Sequence, residues 1–367
     1  MVRVLIAPDR FTGTLSAVEA AEAIAAGWRR RAPDDELDLV PMADGGPGFV
    51  DVLHASLGGE LLAVTVRGPL GGRVPGSVLL VGDTAYVESA QACGLHLTAA
   101  EQPDPERATS YGVGELLAAA VDADARTIRV GLGGSGTNDG GAGMLSALGA
   151  TAEPDTGVLL RGPRGLTELE TVDLAAARSR LAGITLEAAS DVDNPLLGLT
   201  GTTSVHGVAR GLAAERLPAV DAMLQRLAEA TDRKVALARG AGAGGGLGFG
   251  LLLLGAARAP GVEVVAEAVD LPAHARRADL VVTGEGAFDF SSRSGTVPYA
   301  VARVAAEALQ PCIALAGRVL VGARETRALG IESAYAVDDL VGADAGTADP
   351  AAGLARLAER VARTWSG

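Results

Sequence analysis

The stretch that most constrains this chain is Gly131-Leu-Gly-Gly-Ser-Gly-Thr-Asn-Asp-Gly-Gly-Ala-Gly-Met144. It follows Thr127-Ile-Arg-Val-Gly131, a β-branched run that reads as a buried strand, and it leads into Met144-Leu-Ser-Ala-Leu148, which reads as a helix start. Strand, glycine turn and helix start together make an anion site. Backbone without side chains lets a phosphate reach the N–H groups, and the helix dipole favours negative charge. The stretch is neither familiar phosphate loop. It lacks G-x-x-x-x-G-K-[ST], and no acidic residue follows about twenty residues on in a strand–helix–strand unit to hold a ribose. The candidate phosphate ligands are Gly133, Gly134, Ser135, Gly136, Thr137, Asn138 and Asp139, whose hydroxyls, amide and carboxylate exceed what a tight turn needs.

The N-terminal half repeats one theme, a strand that delivers an acidic residue. Val2 to Ala7 reads as a strand buried on both faces and ends in Pro8-Asp9-Arg10. Ser16 and Glu19 then form a capping box for a helix running towards Trp28. Strand, loop and capped helix open a doubly wound α/β domain, in which ligands gather at the carboxyl ends of the strands. A second strand, Glu36 to Val40, brings Asp44 to the same edge. The two aspartates suit a cation or an acceptor hydroxyl, against the plainer reading of each as a cap. From Glu60 to Glu88 short strands alternate with Gly and Pro turns, as in a meander opening a second domain. Glu88 reads equally as functional or as a half-buried strand carboxylate, and Glu101 to Arg107 as a polar loop.

Further along, Glu153 to Leu169 reads as a surface excursion. The strand Ile184 to Ala189 ends in Ser190-Asp191-Val192-Asp193-Asn194-Pro195. If that strand continues, Asp191 and Asp193 point to one side with Asn194 beside them, a cluster suited to Mg²⁺ or to orienting a hydroxyl. His206 stands alone in a loop, where a histidine is more often neither base nor ligand. Gly240 to Gly250 is a second glycine concentration, either a cover for a nucleotide or a hinge. Ala278 to Thr283 restores the parallel-strand texture and ends in Gly284-Glu285-Gly286-Ala287-Phe288-Asp289, so Glu285 and Asp289 form a third acidic pair.

Composition narrows the partners. A chain of 367 residues exceeds the roughly 250–300 at which single cores stop growing, so two domains are expected. A net charge of -14 and 3% aromatic content argue against nucleic acid and against an anionic membrane surface. An acidic substrate or nucleotide would then need local positive charge or Mg²⁺. The two cysteines lack metal-ligand spacing, the first strand is too short for a signal peptide, and no apolar run approaches a transmembrane helix. The expectation is a cytoplasmic enzyme.

Four motifs stand in a fixed order: Ala7-Pro-Asp9-x-Phe11-x-Gly13, Pro41-Met-Ala-Asp44-Gly-Gly46, the glycine stretch 131–144, and Asp191-Val-Asp-Asn-Pro-Leu-Leu-Gly198 before Thr283-Gly-Glu-Gly286. In these the chain resembles the bacterial glycerate kinase family, which phosphorylates the 2-hydroxyl of glycerate with ATP. The resemblance covers essentially the whole chain. It implies a two-domain α/β fold, with a Rossmann-like parallel-sheet domain formed by 1–66 and 264–367 and an inserted mixed α/β domain, 67–263, carrying the phosphate loop. ATP·Mg²⁺ and acceptor meet in the cleft of that fold, and the resemblance supports Asp9, Asp44, Asp191, Asp193 and Glu285 as site residues. A homodimer is left open.

The chain also departs from the family pattern. Asp-Ser-Phe-Lys-Gly-Ser becomes Asp9-Arg10-Phe11-Thr12-Gly13-Thr14, and Pro47 replaces a glutamate. Phe-Gly-Pro-Gln-Lys-Gly becomes His206-Gly-Val-Ala-Arg210-Gly211, and Gly-Lys-x-Pro becomes Gly295-Thr296-Val297-Pro298. Threonine keeps a donor but no charge. The expected acceptor-binding residues are therefore Arg10, Thr12, Asn194, Arg210, Glu285, Asp289 and Thr296, with Asp9, Asp44, Asp191 and Asp193 catalytic and the last two holding Mg²⁺. The leading function is an ATP-dependent kinase of glycerate. The alternatives are a kinase of a neutral or phosphorylated polyol, such as a sugar or cyclitol, and a metabolite-binding pseudokinase; a nicotinamide oxidoreductase lacks its fingerprint.

Overall fold

The computed structural model describes residues 1–98, 104–293 and 295–366. Glu101–Pro103, the start of the expected polar loop, lie outside the described residues. In chain order the strands are β1 (Arg3–Ile6), β2 (Glu36–Leu39), β3 (Glu60–Arg67), β4 (Arg73–Val81), β5 (Thr84–Glu88), β6 (Thr127–Gly131) and β7 (Thr151–Glu153). They continue with β8 (Thr171–Asp173), β9 (Thr185–Ala189), β10 (Ala257–Ala259), β11 (Leu280–Phe288), β12 (Cys312–Val319) and β13 (Ser333–Ala336).

The chain divides into two compact units, Met1–Asp44 with Asp51–Gly58 and Val262–Gly367, and Gly45–Val50 with Gly59–Gly261. The first is thus built from both ends of the chain. The expected break after Val66 falls one strand too late, because β3 pairs along its whole length with β4 from Glu60↔Leu80 to Arg67↔Arg73 and so belongs to the second unit.

The first unit is a five-stranded parallel sheet in the order β13-β12-β11-β1-β2. Val4, Ile6, Leu280, Val282, Ile313 and Leu315 share a core with the helices Ala17–Arg31 and Pro350–Trp365. Leu5 and Val281, one residue out of step, are equally buried and face the opposite side, against which Leu271–Arg277 and Val297–Glu307 lie. The first pair of helices touches backbone to backbone: a Cβ on Gly27 would sit 1.9 Å from the Ala355 carbonyl oxygen. The capping box forms as read, with the Glu19 N–H donating to Ser16 Oγ at 3.2 Å and the Ser16 N–H to the Glu19 carboxylate at 2.8 Å. From β1 the order runs one way to β2 and the other way through β11 to β13. The strand ends of β1 and β11 are therefore a topological switch point, where a crevice opens in such sheets.

The second unit carries a six-stranded mixed sheet, β10-β9-β6-β5-β4-β3, parallel from β10 to β5 and an antiparallel meander from β5 to β3. Glu153 to Leu169 is not a surface excursion. β7 and β8 pair as a small antiparallel ribbon, and the two 3₁₀ turns between them bury Val158, Leu159 and Leu166 in the unit's core. Their leucines carry no helical or strand period, which is why the segment reads as loop.

Candidate active site

In the first unit, backbone ladders place three carboxyls at one sheet edge. Past β1, Ala7 N–H donates to Val282 O and Asp9 N–H to Gly284 O, both at 2.8 Å. Past β2, Met42 N–H donates to Pro8 O at 2.9 Å, so the segment carrying Asp44 is tied to the segment carrying Asp9. β11 continues through Gly284-Glu285-Gly286 rather than ending at Thr283, and a Cβ on Gly284 would meet Leu315 O at 2.0 Å. Asp9, Asp44 and Glu285 line one cavity of about 680 Å³, together with Arg10, Thr12, Thr296, Arg318 and Asp338.

This environment changes the carboxyls. Burial first, then repulsion from Asp44, pushes Asp9 up to about 7, against the Arg10 N–H that donates to its Oδ1 at 2.7 Å. Burial likewise pushes Glu285 up to about 7, with Ser292 Oγ donating to it at 2.5 Å and Asp289 adding repulsion. A carboxyl with a value near 7 is matched to taking a proton from a hydroxyl at neutral pH. Asp289 is not among the residues that line this cavity, while Thr296, which does line it, donates its hydroxyl to Ser292 O at 3.1 Å. Arg318 and Asp338 escaped sequence reading. Arg318 is the next-to-last residue of β12, with nothing but a preceding glycine to mark it.

In the second unit, the glycine stretch follows β6 and enters the helix Ala142–Ala147. Most of its polar side chains serve the loop itself. Asp139 is fully buried, and its carboxylate accepts from Ser110 N–H (2.8 Å), Ser110 Oγ (2.9 Å), Gly141 N–H (3.0 Å) and Gly143 N–H (3.2 Å). The carboxylate frames the loop, which leaves the backbone N–H of Asp139 as the group able to meet a phosphate. Ser135 Oγ and Thr137 Oγ1 lie 3.0 Å apart, and Asn138 Nδ2 donates to Thr203 Oγ1 at 2.9 Å. What remains is backbone. Among the described residues the N–H groups of Gly133, Gly134, Ser135, Asn138 and Asp139 have no acceptor, and Asn138 and Asp139 are 1% and 0% exposed. Buried N–H groups without partners are rare and point to an absent acceptor.

Arg210 holds this loop. Its Nη1 donates to Asn138 Oδ1 (3.0 Å), Thr202 Oγ1 (3.0 Å) and Thr202 O (3.3 Å), and its Nε to Ser135 O (3.3 Å). Burial pushes its guanidinium down to about 10, so it stays charged at neutral pH, and no described carboxylate pairs with it. The second glycine run is neither cover nor hinge but a floor: a Cβ on Gly245 (φ +74°) would lie 1.8 Å from Thr137 O, and one on Gly246 2.5 Å from the Gly140 Cα. Glu88 accepts from Gly48 N–H (3.1 Å) and Val50 N–H (3.3 Å), an anchor for Gly45–Val50.

β9 ends at Ala189, so the alternation expected of Asp191 and Asp193 does not apply. Asp193 is engaged by Arg239 and by Arg258 (2.5 Å), which hold its carboxyl below its ordinary range, and it is not free to be a metal ligand. Asn194 Nδ2 donates to Thr200 O at 2.7 Å and shapes the loop. Among the described residues no group of three or more His, Cys, Asp or Glu is arranged around a metal ion. His206 Nε2 is buried without a partner, and burial lowers its pKa, so the ring is neutral.

Comparison with known proteins identifies the family. The glycerate kinase family model matches residues 4–366. The chain is 38% identical to the glycerate kinase of Bacillus subtilis (strain 168), over 92% of this chain and 90% of the relative. It is 36% identical to the glycerate 2-kinase of Escherichia coli (strain K12), over 93% and 92%. A crystal structure of a candidate glycerate kinase 2 from Salmonella typhimurium LT2 superposes with a TM-score of 0.84 at 36% identity, covering 100% of this chain and 98% of that one. The chain belongs to the glycerate kinase family.

Proposed function

We propose that the protein transfers a phosphoryl group from ATP to a hydroxyl of glycerate. The observation that carries this reading is the pair of carboxyls with values near 7, Asp9 and Glu285, placed at the switch point of a parallel sheet in a chain of this family. Asp9 accepts the acceptor hydroxyl's proton; Asp44 keeps it basic enough to do so, and Glu285 receives a hydrogen bond from the same ligand. The unspent N–H groups of Gly133, Gly134, Ser135, Asn138 and Asp139 hold phosphate oxygens, and the Arg210 guanidinium behind them offsets part of their charge. Phosphoryl transfer asks mainly for positioning and charge neutralisation, so this set suffices without a covalent nucleophile.

Mg²⁺, when bound, neutralises phosphate charge. It is usually held by one or two carboxylates with phosphate and water completing its shell, and Asp191, two residues past the end of β9, is the residue of this chain that would hold it. The test is ATP consumption measured over glycerate and a polyol panel. ADP formed in step with phosphorylated glycerate is expected. Turnover of a cyclitol without glycerate would overturn the acceptor, a reading that the uncharged Thr12 and Thr296 in the cavity wall favour.

A further inference from the structure

The cavity of the first unit places three carboxyls, Asp9, Asp44 and Glu285, where an anionic acceptor would have to sit, in a chain whose net charge is -14. A carboxylate substrate is repelled there unless a fixed cation faces it. Arg318 fits that requirement. It lines the same cavity, and among the described residues its guanidinium has no hydrogen-bond or ion-pair partner. Its position is set by register: on β11 and β12, Glu285 lies opposite Ala316 and Ala287 opposite Arg318. Side chains alternate along a strand, so Glu285, Ala287, Ala316 and Arg318 share one face, with Arg318 about 6.7 Å further along than Glu285. Ala287, opposite the arginine, offers only a methyl and leaves the guanidinium room to swing back over the cavity.

We infer that Arg318 binds the carboxylate of the acceptor and makes the site select a hydroxy acid over a neutral polyol. The assignment rests on the kinase reading above. The charge of Arg10 acts on its chain neighbour Asp9, whereas Arg318, further along the cavity wall, presents an unengaged fork that can take both oxygens of a carboxylate at once. It thereby stands in for the charge that Thr12 and Thr296 lack.

The test is calorimetric titration of wild type, Arg318→Gln and Arg318→Lys with glycerate and with glycerol, alongside kcat and KM from ATP consumption. Arg318→Gln should weaken glycerate binding and raise its KM by about 10–100-fold, with kcat nearly unchanged and glycerol binding unaffected. Arg318→Lys should recover part of the loss. An exposed side chain without contacts leaves the melting temperature unchanged, which checks that the variants are folded. Wild type that phosphorylates glycerate while Arg318→Gln keeps its KM overturns Arg318 alone. Equal losses for glycerate and glycerol overturn it as well. Wild type that neither binds nor phosphorylates glycerate overturns the acceptor reading and this assignment together.

Discussion

Asp9→Asn separates what a buried carboxyl costs the fold from what it gives the reaction. The amide keeps an oxygen for the Arg10 N–H, 2.7 Å away, and removes the ionisable group. Asp9 is raised from an ordinary value of 3.8 to about 7 by burial and by Asp44. A folded-state value above the unfolded one means that the native state holds the proton longer. The stability it confers is complete below about pH 4, falls as pH rises, and is gone above about pH 7. At about 1.4 kcal/mol per pH unit, that window caps the penalty of the ionised side chain at about 4 kcal/mol. Urea denaturation of wild type and Asp9→Asn at pH 4 and pH 8 should therefore show a small difference at the lower pH and a more stable variant at the higher one, by up to about 4 kcal/mol. In the kinase assay kcat should fall by about 10²–10⁴-fold, and the rise of wild-type activity through pH 7 should vanish. A variant that keeps wild-type kcat, or whose stability gain is the same at both pH values, would refute the assignment of Asp9 as a buried base.

Three further outcomes follow from the second unit. Gly245→Ala puts a Cβ 1.8 Å from Thr137 O at a backbone φ of +74°, so it should cost about 3 kcal/mol or more by urea denaturation and abolish nucleotide binding, while glycerate titration stays at wild-type affinity. Arg210→Met leaves Asn138 Oδ1 and Ser135 O without their donor; nucleotide affinity measured by calorimetry should drop by about tenfold or more, and Arg210→Lys, which cannot fork to both, should restore little. Asp191→Asn should raise the Mg²⁺ concentration needed for half-maximal activity, whereas Asp193→Asn, which breaks ion pairs with Arg239 and Arg258, should lower stability and leave that concentration in place.

Local signals carried much of the fold. The Ser16–Glu19 box and the β-branched run Thr127–Gly131 each declare an element through nearest neighbours alone, and both elements form there. The β7–β8 ribbon was illegible because its stability comes from burying Val158 and Leu166 in a core assembled elsewhere. The site divides in the same way. Asp9, Asp44 and Glu285 could be found because strand ends in an α/β sheet are predictable places. The roles of Asp139 and Asp193 could not, since a carboxylate in a glycine loop looks alike whether it faces a ligand or four of the loop's own donors, and nothing near Asp193 in sequence announces Arg239 or Arg258. Arg318 was missed for a related reason: its meaning depends on register with Ala287, which only strand pairing reveals.

The most direct test is a crystal structure of the protein with ADP and glycerate bound. Phosphate oxygens should accept from the N–H groups of Gly133, Gly134 and Ser135, and a glycerate hydroxyl should lie about 3 Å from an Asp9 oxygen. Glycerate bound away from Asp9 and Glu285, or phosphates that leave those loop amides unengaged, would contradict the kinase reading.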